Sequence, residues 1–310
     1  MALDGRSMRV LVAIDGSEPS GLAVDLVAEV AWPAGTEILA VEAVETGAGL
    51  FGGPWPALAF VQADQIEAAI REEAHRTVHE ARNRFVRPGL KVRAVVLRGR
   101  PATTIVDRAS RMHANLVVVG SRGQGIIESM LLGSVSAEVV DHAPAPVLVA
   151  RGRRIERIVL GWDGSSCAST AADLLRAWPI FAGSVVRVVS VADVEIPWWT
   201  GFPETGSPEM LPMYIEAATA SREEHDRLAR EMTAKLQSAG LTTEPERREG
   251  DAATEILVAA NASKADLIVV GTHGRTGLKR LLLGSVARNV LQHATCSVLV
   301  ARDIPVPVAA

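Results

Sequence analysis

Cysteine is nearly absent from this 310-residue chain, with Cys167 and Cys296 its only two. Two thiols cannot build a disulfide scaffold or a cysteine-rich zinc site, and their scarcity suits a reducing compartment. Aromatic residues are also scarce, at 4% with a single tyrosine. Positive charge is not in excess: 32 Lys and Arg stand against 36 Asp and Glu, for a net charge of −4. A duplex-binding protein normally carries a basic face on a positive balance, so nucleic acid is not an expected partner. No apolar run approaches the ~18 residues of a membrane span. The opening MALDGRSMRV has no apolar segment of the signal-peptide kind. The expectation is a soluble cytoplasmic protein with no membrane partner. What remains is an ordinary globular composition, 48% apolar and 22% charged, at a length that suggests about two domains.

The chain is written twice. Val10-Leu-Val-Ala-Ile-Asp15-Gly16-Ser17 recurs as Ile158-Val-Leu-Gly-Trp-Asp163-Gly164-Ser165, at an offset of 163 − 15 = 148. Trp32-Pro33 recurs as Trp178-Pro179, Asn115–Gly123 as Asp266–Gly274, and Leu131–Val135 as Leu282–Val286. Pro146-Val-Leu-Val-Ala150 recurs as Ser297-Val-Leu-Val-Ala301. Ordered matches at nearly constant offset mark a duplicated domain, since the period is far longer than that of a solenoid repeat. The expected division is 1–153 and 154–310, joined at the polar Arg151-Gly-Arg-Arg154. Charge is split evenly, 16 basic and 17 acidic residues against 16 and 19.

Within the first half, Val10–Ile14, Glu37–Val44, Val92–Leu97, Leu116–Val119 and Val147–Val149 read as strands. The continuous apolar ones suit burial on both faces. Gly21–Ala31, Asp64–Phe85, Ala102–Arg111 and Val135–His142 have helical spacing. Strand–helix alternation predicts an α/β fold of two tandem doubly wound parallel-sheet domains, Rossmann-like, with ligands at the carboxyl ends of the strands. The last strand of each repeat is expected at a sheet edge, and the two edges can pair antiparallel about a pseudo-twofold axis.

The chemistry-bearing motifs fall at those strand ends. Gly120-x2-Gly123-x9-Gly133-Ser134 follows the fourth strand, and Gly271-x2-Gly274-x9-Gly284-Ser285 repeats it. Glycine leaves backbone N–H groups open to a phosphate. Gly133-Ser134 and Gly284-Ser285 precede helices beginning near Val135 and Val286, whose N-termini offer spare donors and the positive dipole end. Ser134 is expected to cap its helix. A strand-to-helix turn also needs glycine for itself, but the same spacing at the same place in both repeats favours the phosphate reading. Asp15 and Asp163 each close a first strand, placed to accept from a ribose or base or to approach a phosphate-bound metal. A helix-capping role is the alternative.

The strand-end aspartates, the two glycine motifs and the terminal VLVA strands together resemble the universal stress protein family, in its tandem form, over nearly the whole chain. The resemblance implies an adenine-nucleotide-binding fold of the adenine nucleotide alpha hydrolase type, a stress-linked regulatory role, ATP with or without Mg2+, homodimers and client proteins. It assigns phosphates to Gly120, Gly123, Gly133 and Ser134, and to Gly271, Gly274, Gly284 and Ser285, with Val135 and Val286 also in the nucleotide sites. Backbone contacts to adenine map to Ala43 and Val191. Two departures stand out. Lys279-Arg280 in the second loop replaces Glu128-Ser129 in the first, so the second site is expected to bind more tightly. Gly99-Arg100-Pro101 follows the family habit, whereas Gly250-Asp251-Ala252 does not.

Other signals carry less. Gly47-Ala-Gly49-Leu-Phe-Gly52 spells a dinucleotide fingerprint, but Pro54 and Pro56 follow, so a loop is expected there. Ile196–Pro203 is similarly aromatic and Pro-rich. His75 and His79 are four apart on a helix, without a third ligand in view, and read as a solvated face. His142 and His293 read as helix-end residues. No Walker loop and no nucleophile elbow appears. The leading function is a nucleotide-binding regulatory module. The alternatives are a slow ATPase or nucleotide-transferring enzyme of related fold, and a scaffold working through dimer contacts.

Overall fold

The computed structural model describes residues 7–45, 60–123, 132–192, 210–274 and 283–302. The first half runs β1 (Arg9–Ala13), α1 (Glu18–Glu29), β2 (Glu37–Val44), α2 (Phe60–Phe85), β3 (Lys91–Arg98), α3 (Pro101–Arg111), β4 (Leu116–Gly120), α4 (Ser134–His142) and β5 (Val147–Ala150). The second half repeats the order as β6 (Arg157–Gly161), α5 (Ser166–Ala177), β7 (Val185–Ala192), α6 (Met210–Ser238), β8 (Thr242–Glu249), α7 (Ala252–Ser263), β9 (Leu267–Gly271), α8 (Ser285–His293) and β10 (Ser297–Ala301). A short 3₁₀ turn at Pro179–Phe181 follows α5.

Apolar β-branched runs make the central strands: β4 and β5 are buried along their whole length. Helix α1 starts three residues before the Gly21 expected from spacing. Ser17 caps it by accepting from the Ser20 N–H at 3.3 Å, and a proline suits its first turn. Gly16, at φ +76°, and Gly164, at φ +79°, hold the left-handed corner between strand and cap, a conformation open to glycine at little cost.

All ten strands form one sheet, in the order β3-β2-β1-β4-β5-β10-β9-β6-β7-β8. Within each half every pairing is parallel, and the 3-2-1-4-5 order is doubly wound. The joint between halves is antiparallel, pairing Val147 with Val300, Leu148 with Leu299 and Val149 with Val298. This is the strand pairing expected from the two VLVA segments. The linker is tied down as well, with Arg153 Nε 2.8 Å from Asp25 Oδ2 on α1.

The core lies on both faces of the sheet and runs through both halves. One layer packs under α1, α2, α5 and α6 and includes Leu148 and Leu299; the other packs under α3, α4, α7 and α8 and includes Val149 and Val298. The outer edges are polar. β8 reads TTEPERRE, with Pro245 inside it, and β3 exposes Lys91 and Arg98 at its ends. Charge and proline on an edge discourage pairing with another chain.

Candidate functional site

The strand order reverses between β1 and β4 in the first half and between β6 and β9 in the second. A crevice opens at the carboxyl ends there, where doubly wound sheets bind ligands. The first, of about 380 Å³, is lined by Asp15, Ala43, Gly120, Gly123, Gly133, Ser134 and Val135. The second, of about 220 Å³, is lined by Asp163, Val191, Gly271, Gly274, Gly284, Ser285 and Val286. Residues up to 123 apart along the chain, Asp163 and Val286, are thus gathered at one point.

The glycines of the motif first serve packing. A Cβ on Gly120 would meet the Pro19 backbone at 2.7 Å, and one on Gly271 would meet the Cys167 backbone at 2.6 Å. These two let a strand end pass beneath a helix start. A Cβ on Gly123 would lie 2.6 Å from Asp15 Oδ2, and on Gly274 2.9 Å from Asp163 Oδ2. Each second glycine therefore keeps the space in front of the aspartate clear.

Asp15 Oδ1 accepts from the Ser17 N–H at 3.1 Å and from its hydroxyl at 2.6 Å. Asp163 Oδ1 accepts from the Ser165 N–H at 2.9 Å. The helix caps are Ser17 and Ser165; each aspartate orients its cap through one oxygen and turns the other toward the glycine loop. The capping alternative for Asp15 and Asp163 is thereby replaced by a two-sided role.

Ser134 does not cap α4. The N-cap is Gly133, extended at φ −77° and ψ 157°, and Ser134 is the first helical residue. Gly284 holds the same place before Ser285. Gly133 donates its N–H to Ser121 O at 2.7 Å, and Gly284 to Thr272 O at 2.7 Å, which pins the chain in place. Having no side chain at the cap, neither helix has a side-chain cap bond. Among the described residues the first turns of α4 and α8 carry no side-chain cap, an arrangement that suits an anion in the crevice. In contrast, α1, α5 and α7 are each capped by a Ser or Asp side chain.

Residues absent from the sequence reading also lie here. Arg122 lines the first crevice where His273 lines the second; it stood inside the Gly120-Ser-Arg-Gly123 motif as an unread x. Outside the lining but within reach of the charge on Asp15, Glu42 of β2 has a buried Oε2 without a hydrogen-bond partner among the described residues. Burial, and secondarily the charge on Asp15, push its carboxyl up to about 7. Trp162 lines the second crevice. The Glu128, Ser129, Lys279 and Arg280 comparison lies outside the described residues, as do Gly47–Gly52 and the Ile196–Pro203 segment.

A family model described as universal stress protein family matches residues 7–151 and again 154–302. The chain belongs to the universal stress protein family. A universal stress protein of Mycobacterium tuberculosis is 29% identical over 331 residues, covering 97% of each chain. One from Methanocaldococcus jannaschii is 35% identical over 147 residues, spanning 47% of this chain and 82% of its own. A crystal structure of a universal stress protein from Archaeoglobus fulgidus superposes with a TM-score of 0.65 at 18% identity, over 96% of this chain and 99% of that one, a likeness of fold. In this universal stress protein chain the remaining signals are structural. His142 and His293 end α4 and α8, each with Nδ1 2.9 Å from the carbonyl four residues back. His75 and His79 stack with ring centroids 6.5 Å apart. Among the described residues no group of three or more His, Cys, Asp or Glu is gathered for a metal, and no helix is long and apolar enough to cross a membrane.

Proposed function

We propose that the protein is an ATP-binding regulatory module of a stress response, with two nucleotide sites per chain. The observation that carries this reading is the pair of helix N-termini, α4 and α8, left without side-chain caps at the same place over two equivalent crevices. An anion there would meet first-turn N–H groups and the positive end of the helix dipole. Arg122 lines the first site and His273 the second, each bringing side-chain N–H donors.

The crevices fit a nucleotide in kind. The first lies within the ~300–1,000 Å³ usual for ligand pockets and the second just below it. Val119, Ile105 and Ala43 give the first an apolar wall suited to a base. Val189, Ile256 and Val191 do so in the second. Asp15 and Asp163, each with one oxygen turned to the glycine loop, suit a ribose hydroxyl or a Mg2+ carried in by the phosphates. Binding would favour one conformation over another by as much as ATP discriminates between them. That surface change is what a client protein or a second copy of the chain would read, most plainly in the cytoplasm.

The site reads as one that holds phosphates through backbone donors, with Asp15 and Asp163 engaged through one oxygen in orienting the helix caps. Turnover is therefore expected below the ordinary enzyme range of about 1–1,000 per second. The direct test is to denature the purified protein and identify the small molecule released. Adenine nucleotide, at up to two per chain, supports the reading. Release of none, together with no ATP binding by calorimetry, would overturn it. Multiple-turnover release of ADP would instead favour the enzyme.

A further inference from the structure

Two arginines cross the antiparallel joint in opposite directions. Arg151 follows β5 and donates from Nη2 to Leu291 O at 2.6 Å, in the last turn of α8. Its backbone N–H also donates to Ser297 Oγ at 3.1 Å. Arg302 follows β10 and donates from Nη2 to Val140 O and, at 2.9 Å, to Asp141 O in the last turn of α4. The positions correspond: 302 − 151 and 291 − 140 both equal 151. Arg288 of α8 adds a contact to Asp141 of α4 at 3.4 Å.

The last four carbonyls of a helix lack intrahelical partners and form its negative end. Both guanidiniums are partly buried, and burial pushes Arg151 down to about 10 and Arg302 below its usual range. A cation taken out of water in this way needs strong acceptors, and the carbonyls of a helix C-terminus supply them. The helices so held are the two whose uncapped N-termini line the crevices. α4 and α8 are only nine residues long, so the held end of each lies about 13 Å from its crevice end.

We propose that Arg151 and Arg302 are positioning residues that act crosswise. Arg151 of the first half sets the helix of the second crevice, and Arg302 of the second half sets the helix of the first. Each site is then complete only with the other half in place. The occupant of the crevices is taken from the nucleotide reading above; the arginine caps are independent of it.

The experiment uses the full chain with Arg151→Met and Arg302→Met, and with Arg151→Lys and Arg302→Lys as conservative partners. Amide hydrogen exchange is followed over α4 and α8. Arg151→Met is expected to speed exchange of α8 amides about tenfold and leave α4 as in the parent, with the converse for Arg302→Met. Each Lys variant keeps a charged donor and is expected to fall between. The second readout is calorimetry with ATP on single-site backgrounds. On Gly123→Asp, which leaves the second site, Arg151→Met is expected to weaken binding about tenfold, ~1.4 kcal/mol, and Arg302→Met to leave it unchanged. On Gly274→Asp the roles exchange. Equal effects on both helices, an effect confined to the arginine's own half, or no change in exchange would overturn the crossed arrangement. A Met variant too unstable to study leaves the Lys pair to decide by the same pattern. If the parent chain binds no ATP, the nucleotide reading fails alone, and exchange still decides the caps.

Discussion

Gly123 and Gly274 each leave open the space before a carboxylate, so an aspartate introduced there would bring like charges together where a phosphate would sit. Gly123→Asp is expected to abolish one of the two ATP equivalents seen by calorimetry, and Gly274→Asp the other. If neither variant loses ATP, these crevices are not the sites. The sequence expectation that the second site is tighter rested on Lys279 and Arg280. Those residues lie outside the described ones; on that expectation Gly274→Asp costs the more affinity, and equal losses from both variants would refute the asymmetry. Glu42 gives a pH dependence with a definite sign. Its folded carboxyl titrates near 7 against an ordinary 4.5, so the folded state binds the extra proton between those values. Its stabilising contribution is present below about pH 4.5 and is lost as pH rises through 7. Glu42→Gln is expected to be more stable than the parent at pH 8 by about 1–2 kcal/mol, a figure reduced from the full shift because the carboxyl keeps part of its hydration. Urea unfolding at pH 5 and pH 8 measures this, and a gain no larger at pH 8 than at pH 5 would contradict it. The Gly250-Asp251-Ala252 departure also has a residue-scale answer. Asp251 caps α7 by accepting from the Thr254 N–H at 2.8 Å, whereas α3 starts with Pro101 and has no side-chain cap bond. Two chemistries serve one turn.

At the scale of elements, β5 and β10 bear on stability most directly. Leu148 and Leu299 face each other across the joint with almost no exposure, so a lysine at either place would bury a charge without a partner. Leu148→Lys is expected to destabilise by at least about 2–5 kcal/mol, measured by urea midpoint. A change within about 0.5 kcal/mol, as at a surface site, would remove the joint from the core. The same strands show what the sequence made legible. VLVA, LVVVG and the VLVA of RVLVA are short apolar, valine-rich runs of strand length between turns; their bounds came within a residue of those observed. β8 was illegible by pattern, since TTEPERRE has neither apolar alternation nor a continuous run. Only the duplication places a strand there, at the offset of 151 from Val92. The cap at Gly133 was misread for a related reason. Serine is the better N-cap in isolation, but Gly133 is fixed first by its bond to Ser121 O and by a Cβ position only 3.2 Å from Arg122 Cα. The crossed arginines themselves repeat, each directly after a VLVA segment, but the sequence does not show that they reach across to the opposite helix. They matter through a joint that exists only in three dimensions.

For the whole molecule, residues 1–153 and 154–310 expressed apart are expected to associate when mixed, each half covering the other's β5 or β10 edge. Size-exclusion chromatography with light scattering would show this, and halves that remain monomeric in the mixture would contradict the shared sheet. The continuous core on both faces makes the same point energetically, since separating the halves exposes Leu148, Val149, Val298 and Leu299 together. The sheet's closure also sets an order in time. Val149 pairs with Val298, so the strand that covers the first half's inner edge is among the last described parts of the chain to be synthesised. At about 5–20 residues per second, roughly 8–30 s pass between one strand leaving the ribosome and the other. Throughout that interval a nascent chain carries a bare, apolar edge, and neighbouring ribosomes on the same message carry identical ones. Two such chains can pair β5 with β5 before either β10 exists, and a swapped assembly would then be made during translation rather than after it.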